Sequence, residues 1–115
     1  MNVIRKQLKL NKNDYFIKHL SIINNFLPTE LTPKEIEVIA AFMSLEGDIA
    51  NDRFGTSARK IVRSQLNISP GGLGNYLKSL RSKGFLKEEN GSFTILSILH
   101  PSPEGQGYMF KLLKT

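Results

Sequence analysis

Between residues 56 and 96 the chain carries two helix-length apolar stripes set a few residues apart, then an Asn-Gly turn between short apolar-bearing runs. That order restricts the fold more than any other feature. Thr56 or Ser57 opens the first stripe, where Ala58, Ile61, Val62 and Leu66 recur at helical spacing. After Asn67-Ile68, Ser69-Pro70 supplies a cap and a first-position proline for the next helix, which should end at Lys83-Gly84. Phe85-Leu86-Lys87 and Ser92 to Leu96 then flank Glu88-Glu89-Asn90-Gly91. Asn-Gly accepts positive φ at both central positions, so a tight hairpin is expected there. The class implied is mainly α with a small β-hairpin, an α+β fold.

Two further helices precede this unit. Leu31-Thr32-Pro33-Lys34-Glu35-Ile36 is the clearest helix start in the sequence. Thr32 can cap, Pro33 fits the first helical position, Glu35 completes a capping box, and Leu31 can staple onto Ile36. Ile36, Ile39, Ala40 and Met43 form its stripe, and Gly47 can supply a left-handed stop. Upstream, Asp14 is a cap for a helix running to about Phe26, with Phe16, Ile17, Leu20, Ile23 and Leu27 on one face. Tyr15, Ile22 and Phe26 fall off that face, which calls for a second internal partner or a subunit contact. Residues 46–55 read as a loop, with room for a short strand or turn at Ile49-Ala50. The domain proper spans 14–96. Residues 1–13 are a basic segment that forms a short strand or packs as a tail, and 97–115 are a loop and a last strand on the same domain.

At 115 residues, with 40% hydrophobic and 23% charged residues, the chain can bury one core unaided. It has no cysteine, and its two histidines, His19 and His100, are far apart in sequence, so neither a disulfide nor a metal site is expected. No cofactor or small-molecule ligand is inferred. No apolar run approaches the ~20 residues of a membrane span, and the first residues lack the apolar centre of a signal peptide. A soluble, cytoplasmic protein is expected. Paired acid and base groups at recognisable spacing are also missing, so no enzyme activity is expected. The net charge is +6, and its distribution is uneven. Arg53, Arg59, Lys60, Arg63, Lys78, Arg81, Lys83 and Lys87 occupy a stretch without a single acid, and the rest of the chain is near neutral. Solubility alone would be served equally by mixed signs. A basic footprint on a two-helix motif points instead to a nucleic acid backbone.

Three helices, the last two joined by a tight turn and followed by a Lys-Gly-Phe-Leu junction and an Asn-Gly hairpin, resemble the winged helix-turn-helix superfamily over Thr32 to Leu96. Leu31-Thr32-Pro33-Lys34-Glu35 looks like the helix opening of MarR-like regulators. Leu77-Lys78-Ser79-Leu80-Arg81-Ser82-Lys83-Gly84-Phe85-Leu86 looks like their recognition-helix exit into the wing. The resemblance implies a small transcriptional regulator bound to double-stranded DNA. It departs from the pattern after Leu96, where Pro101, Pro103, Gly105 and Gly107 replace the C-terminal helices that close MarR-like dimers. Neither that dimer nor its effector pocket is implied. A homodimer through the first helix or the C-terminal segment stays open.

With Leu73, Tyr76, Leu77 and Leu80 facing the core, Gly71, Asn75, Lys78 and Ser82 face outward, flanked by Gly72, Ser79 and Arg81. Early residues of such a helix enter the major groove, and Gly71, Gly72 and Gly74 have no side chain to read a base. Base readout is therefore limited to Asn75 on adenine and Lys78 or Arg81 on guanine or phosphate. The glycines admit two accounts, bare N–H groups approaching phosphate or close packing and fraying of the helix. Candidate contacts are Arg59, Lys60, Arg63, Ser69, Gly71, Gly72, Asn75, Lys78, Arg81, Lys83 and Lys87. The rival is a winged helix used as a protein-binding module in a transcription complex or viral particle, because fold does not fix function.

Overall fold

The computed structural model describes residues 5–115. Among these residues the chain forms α1 (Lys12–Ile23), α2 (Pro33–Met43), α3 (Asp48–Asn51), α4 (Thr56–Leu66), α5 (Pro70–Ser82), β1 (Leu86–Glu89) and β2 (Ser92–Ile95). Short 3-10 turns cover Asn24–Phe26 and Ser97–Leu99.

Helix α2 is the axis of the molecule. Val38, Ala41 and Phe42 are buried along with the predicted stripe, so the helix is covered on nearly every side. It packs against α1, α4 and α5. Phe42, Ile39 and Val38 meet Leu20 of α1, Val62 of α4, and Leu73 and Leu80 of α5 in one core, joined by Leu99. Its start follows the sequence closely. Thr32 Oγ1 accepts from the Glu35 amide at 3.1 Å, and Glu35 Oε1 accepts from the Thr32 amide at 2.8 Å. Two otherwise orphaned donors are thereby satisfied.

The α4–α5 connection turns on Asn67, which takes φ 54° and ψ 52° and ends α4 in the left-handed conformation. Ile68 donates back to the Arg63 carbonyl at 3.0 Å, and Ser69 Oγ then caps α5 by accepting from the Gly72 amide at 3.0 Å. The hairpin pairs Leu86 with Ile95, Lys87 with Thr94, Glu88 with Phe93 and Glu89 with Ser92. Asn90 and Gly91 sit at φ 52° and 79°, as a two-residue turn between right-twisting strands requires.

Four boundaries differ from the sequence expectation. Asn11, not Asp14, caps α1. Its Oδ1 accepts from the Asp14 amide at 2.8 Å while its amide group donates to the Asp14 carboxylate at 2.9 Å, so the helix starts three residues earlier and ends at Ile23. Residues 48–51 make one helical turn rather than a loop or strand, with Gly47 at φ 70° before it. Residues 5–10 form no strand, and residues 1–4 of the expected basic segment lie outside the described residues. No last strand forms in 100–115. That segment lies against α1, where Tyr15 donates to the Ser102 carbonyl at 2.7 Å and Phe26 stacks on Phe110. A helix has no free ladder of backbone groups to offer a strand, so the segment is held through the side chains of its neighbours. It is also the internal partner that Tyr15 and Phe26 lacked. No described helix is long and apolar enough to cross a membrane.

Candidate nucleic-acid interface

Helix α4 turns Ala58 and Val62 inward, which leaves Lys60 exposed and Arg59 and Arg63 half-buried. Helix α5 buries Leu73, Leu77 and Leu80 and exposes Gly71, Asn75, Lys78 and Ser82, as its spacing predicts. A Cβ built on Gly71 or Gly74 meets nothing within 4 Å among the described residues, so no close packing among them calls for glycine at either position. Gly72 differs, because a Cβ there would lie 3.0 Å from Ser69 Oγ and 3.1 Å from the Ile68 side chain. The helix starts on time at Pro70, which removes fraying as the account of all three.

The eight basic residues divide into two groups. Arg53 donates to the carbonyls of Phe42, Met43 and Leu45 at 2.7, 3.2 and 3.3 Å, closing the C-terminal end of α2. Arg59 Nε donates to the Phe54 carbonyl at 2.7 Å. Its guanidinium lies 5.6 Å from the Phe93 ring centre, and that of Arg81 lies 5.4 Å from it. The two arginines thus tie the hairpin to α4 and α5 through one ring. Arg81 also pairs with Glu88 at 3.0 Å. Both keep cationic surface, but each already has an internal task.

Lys83 is engaged internally. Its ammonium lies 2.6 Å from Glu35 Oε1 and 2.9 Å from the Glu30 carbonyl, so it ties the end of α5 to the start of α2. Ser79 donates to the other Glu35 oxygen at 2.8 Å. Burial alone would raise the Glu35 carboxyl. The Lys83 ammonium, the Thr32 amide and the Ser79 hydroxyl outweigh it and hold the group below the usual carboxylate range. Nothing local announces this pair, because its members are 48 positions apart.

Lys60, Arg63, Lys78 and Lys87 form the second group. None has a side-chain hydrogen bond or ion pair among the described residues. Lys78 and Lys87 line one groove between α5 and β1, with Arg81, Ser82, Leu86 and Glu88, of about 680 Å3. Ser69 uses a lone pair of its hydroxyl on the α5 cap and keeps its proton to donate outward. Asn75 is exposed on α5, the one amide on the outward face of that helix. The sequence missed Glu35 as the sink for Lys83, Arg53 as a helix closure, and Phe93 as the ring between two arginines. Only Glu35 carried a signal, as the capping-box carboxylate, whose Oε1 takes both the Thr32 amide and the Lys83 ammonium.

Set against known protein families, curated proteins and solved structures, the chain matches none.

Proposed function

We propose that the chain is a winged-helix protein that binds duplex DNA through α4 and α5, with the β1–β2 hairpin as the wing, and that it acts in transcription regulation rather than in catalysis. One observation carries this reading. Among the described residues, Lys60, Arg63, Lys78 and Lys87 stand without an internal partner on the two helices and the adjoining strand, whereas the neighbouring cations are engaged. Unpaired cations reach phosphates without breaking an internal pair, and each contact releases a condensed counterion. The start of α5 is bare at Gly71 and Gly74, which lets a sugar-phosphate chain approach the Gly71 N–H, the Gly72 and Leu73 amides being taken by Ser69. Asn75 and Lys78 are the base-reading groups, so the affinity rests mostly on phosphate contacts and the sequence preference is narrow in extent.

The test is fluorescence anisotropy of the purified chain with a random-sequence duplex at several salt concentrations. With Lys78 on a base, the three phosphate contacts of Lys60, Arg63 and Lys87 give a slope of log K against log salt of about −2.7. Absence of binding at low salt would remove the proposal. The second reading, the same face docking on a protein, is favoured by the lack of side chains at Gly71 and Gly74. Salt-insensitive association with a protein partner distinguishes it.

A further inference from the structure

Of the described residues lining the groove between α5 and β1, Lys78, Arg81 and Lys87 are cationic and Glu88 alone is acidic. The pleat of the strand brings it there. Successive side chains point to opposite faces, so Glu88 shares a face with buried Leu86 and with Phe93, its partner across the hairpin, while Lys87 and Glu89 take the other. That face leaves the core at Glu88 and meets the last turn of α5, where Arg81 pairs with Glu88 at 3.0 Å. The two side chains are 49% and 46% exposed, and exposed pairs of this kind add little to stability. Arg81 has a second hold, since its guanidinium lies 5.4 Å from the centre of the Phe93 ring. Arg81 and Lys78 are three residues apart on α5, which puts them on one side of the helix.

We propose that Glu88 withholds Arg81 from DNA and so sets how tightly this face binds, a role that rests on the duplex-binding reading above. An arginine paired with a carboxylate is close to neutral as a unit. A phosphate brought within reach of the guanidinium stands beside the Glu88 carboxylate as well, and the repulsion offsets the attraction. Arg81 therefore lines the groove without adding a phosphate contact, and Lys60, Arg63 and Lys87 remain the three. Removing the charge of Glu88 frees a cation that Phe93 already positions, at little ordering cost. A fourth contact steepens the slope of log K against log salt from about −2.7 to about −3.6. It tightens binding about eightfold at ~0.1 M salt relative to ~1 M, where counterion release contributes nothing. Sequence preference stays the same, because phosphate contacts carry no base information.

The test is anisotropy titration of the same random-sequence duplex with wild type, Glu88→Gln, Glu89→Gln and Glu88→Gln/Arg81→Gln between about 0.05 and about 0.3 M salt. Glu88→Gln should show the steeper slope and bind about eightfold tighter at ~0.1 M. Glu89→Gln removes the same charge from the opposite face of the strand and should stay near about −2.7. The double variant should return to that value, since the freed cation is gone. Equal slopes for wild type and Glu88→Gln, with both binding, overturn the role of Glu88 and leave the duplex reading standing. So does a double variant that keeps the gain, or a Glu89→Gln that matches it, because the effect is then one of net charge alone. Absence of binding by wild type and Glu88→Gln alike removes the duplex reading, and this role with it. Glu88→Gln should melt within about 2 °C of wild type by circular dichroism, and a variant that unfolds overturns the proposal by making the pair structural.

Discussion

Replacing Lys83 by methionine keeps its aliphatic stem but strands the Glu35 carboxylate, which is 1% exposed, with only the Thr32 amide and the Ser79 hydroxyl. Removing one member of a buried pair costs about 3–5 kcal/mol. The Lys83 side chain is 21% exposed, so water reaches that end and the cost falls below that range, to about 2–3 kcal/mol. For a domain of this size that is a fall in melting temperature of about 10 °C. Thermal unfolding at neutral pH followed by circular dichroism reads the loss. Glu35→Gln/Lys83→Met should recover most of it, because glutamine keeps the capping box and no charge is left buried. The pH dependence has a definite sign. The folded Glu35 pKa is below the unfolded one, so its stabilisation is complete above the unfolded value and disappears as pH falls through the folded value. The acid-side slope of stability should therefore be shallower in the double variant. A single variant melting within about 2 °C of wild type would refute the claim that this pair ties α2 to α5. A drop in the salt slope of DNA binding by about one unit in Lys83→Met would instead return Lys83 to the phosphate contacts.

Lys60→Glu/Arg63→Glu/Lys78→Glu should abolish duplex binding and change the melting temperature little, since these side chains have no internal partner; an unfolded variant would overturn their placement. Gly71→Ala/Gly74→Ala should raise stability by up to about 1 kcal/mol per site, measured by urea unfolding, because neither Cβ meets a neighbour. If bare backbone approaches phosphate, the same variant loses duplex affinity, and unchanged affinity would remove that contact. Burial lowers the His19 pKa, with the Leu99 carbonyl opposing and His100 adding; burial and then the Arg53 charge lower that of His100, against the Ile95 carbonyl. The unfolded chain then takes up protons that the native state refuses, so stability should fall as pH drops below about 6.5, and His19→Gln should flatten that fall.

Local chemistry wrote much of the architecture into the sequence. The capping box at Thr32 and Glu35, the Ser69-Pro70 start, the stops at Asn67 and Gly84 and the Asn90-Gly91 turn act within a few residues, so their outcome depends on no distant partner. The inward and outward faces of α4 and α5 follow from helical spacing alone. Apolar spacing also showed that α1 had more than one face to cover, but not what would cover it. The assignment of the charges was of a different kind. Arg53, Arg59, Arg81 and Lys83 look the same in sequence as Lys60, Arg63, Lys78 and Lys87. Only the packed chain brings carbonyls, a ring and two carboxylates to the first four and leaves the second four open. The same holds for residues 100–115, whose apolar Tyr108 to Leu113 end suggests a last strand until the neighbour proves to be a helix. Period and capping energies are properties of a short window of chain. The partner of a charge or of an extended segment is a property of what the fold brings next to it, across separations that no local pattern encodes.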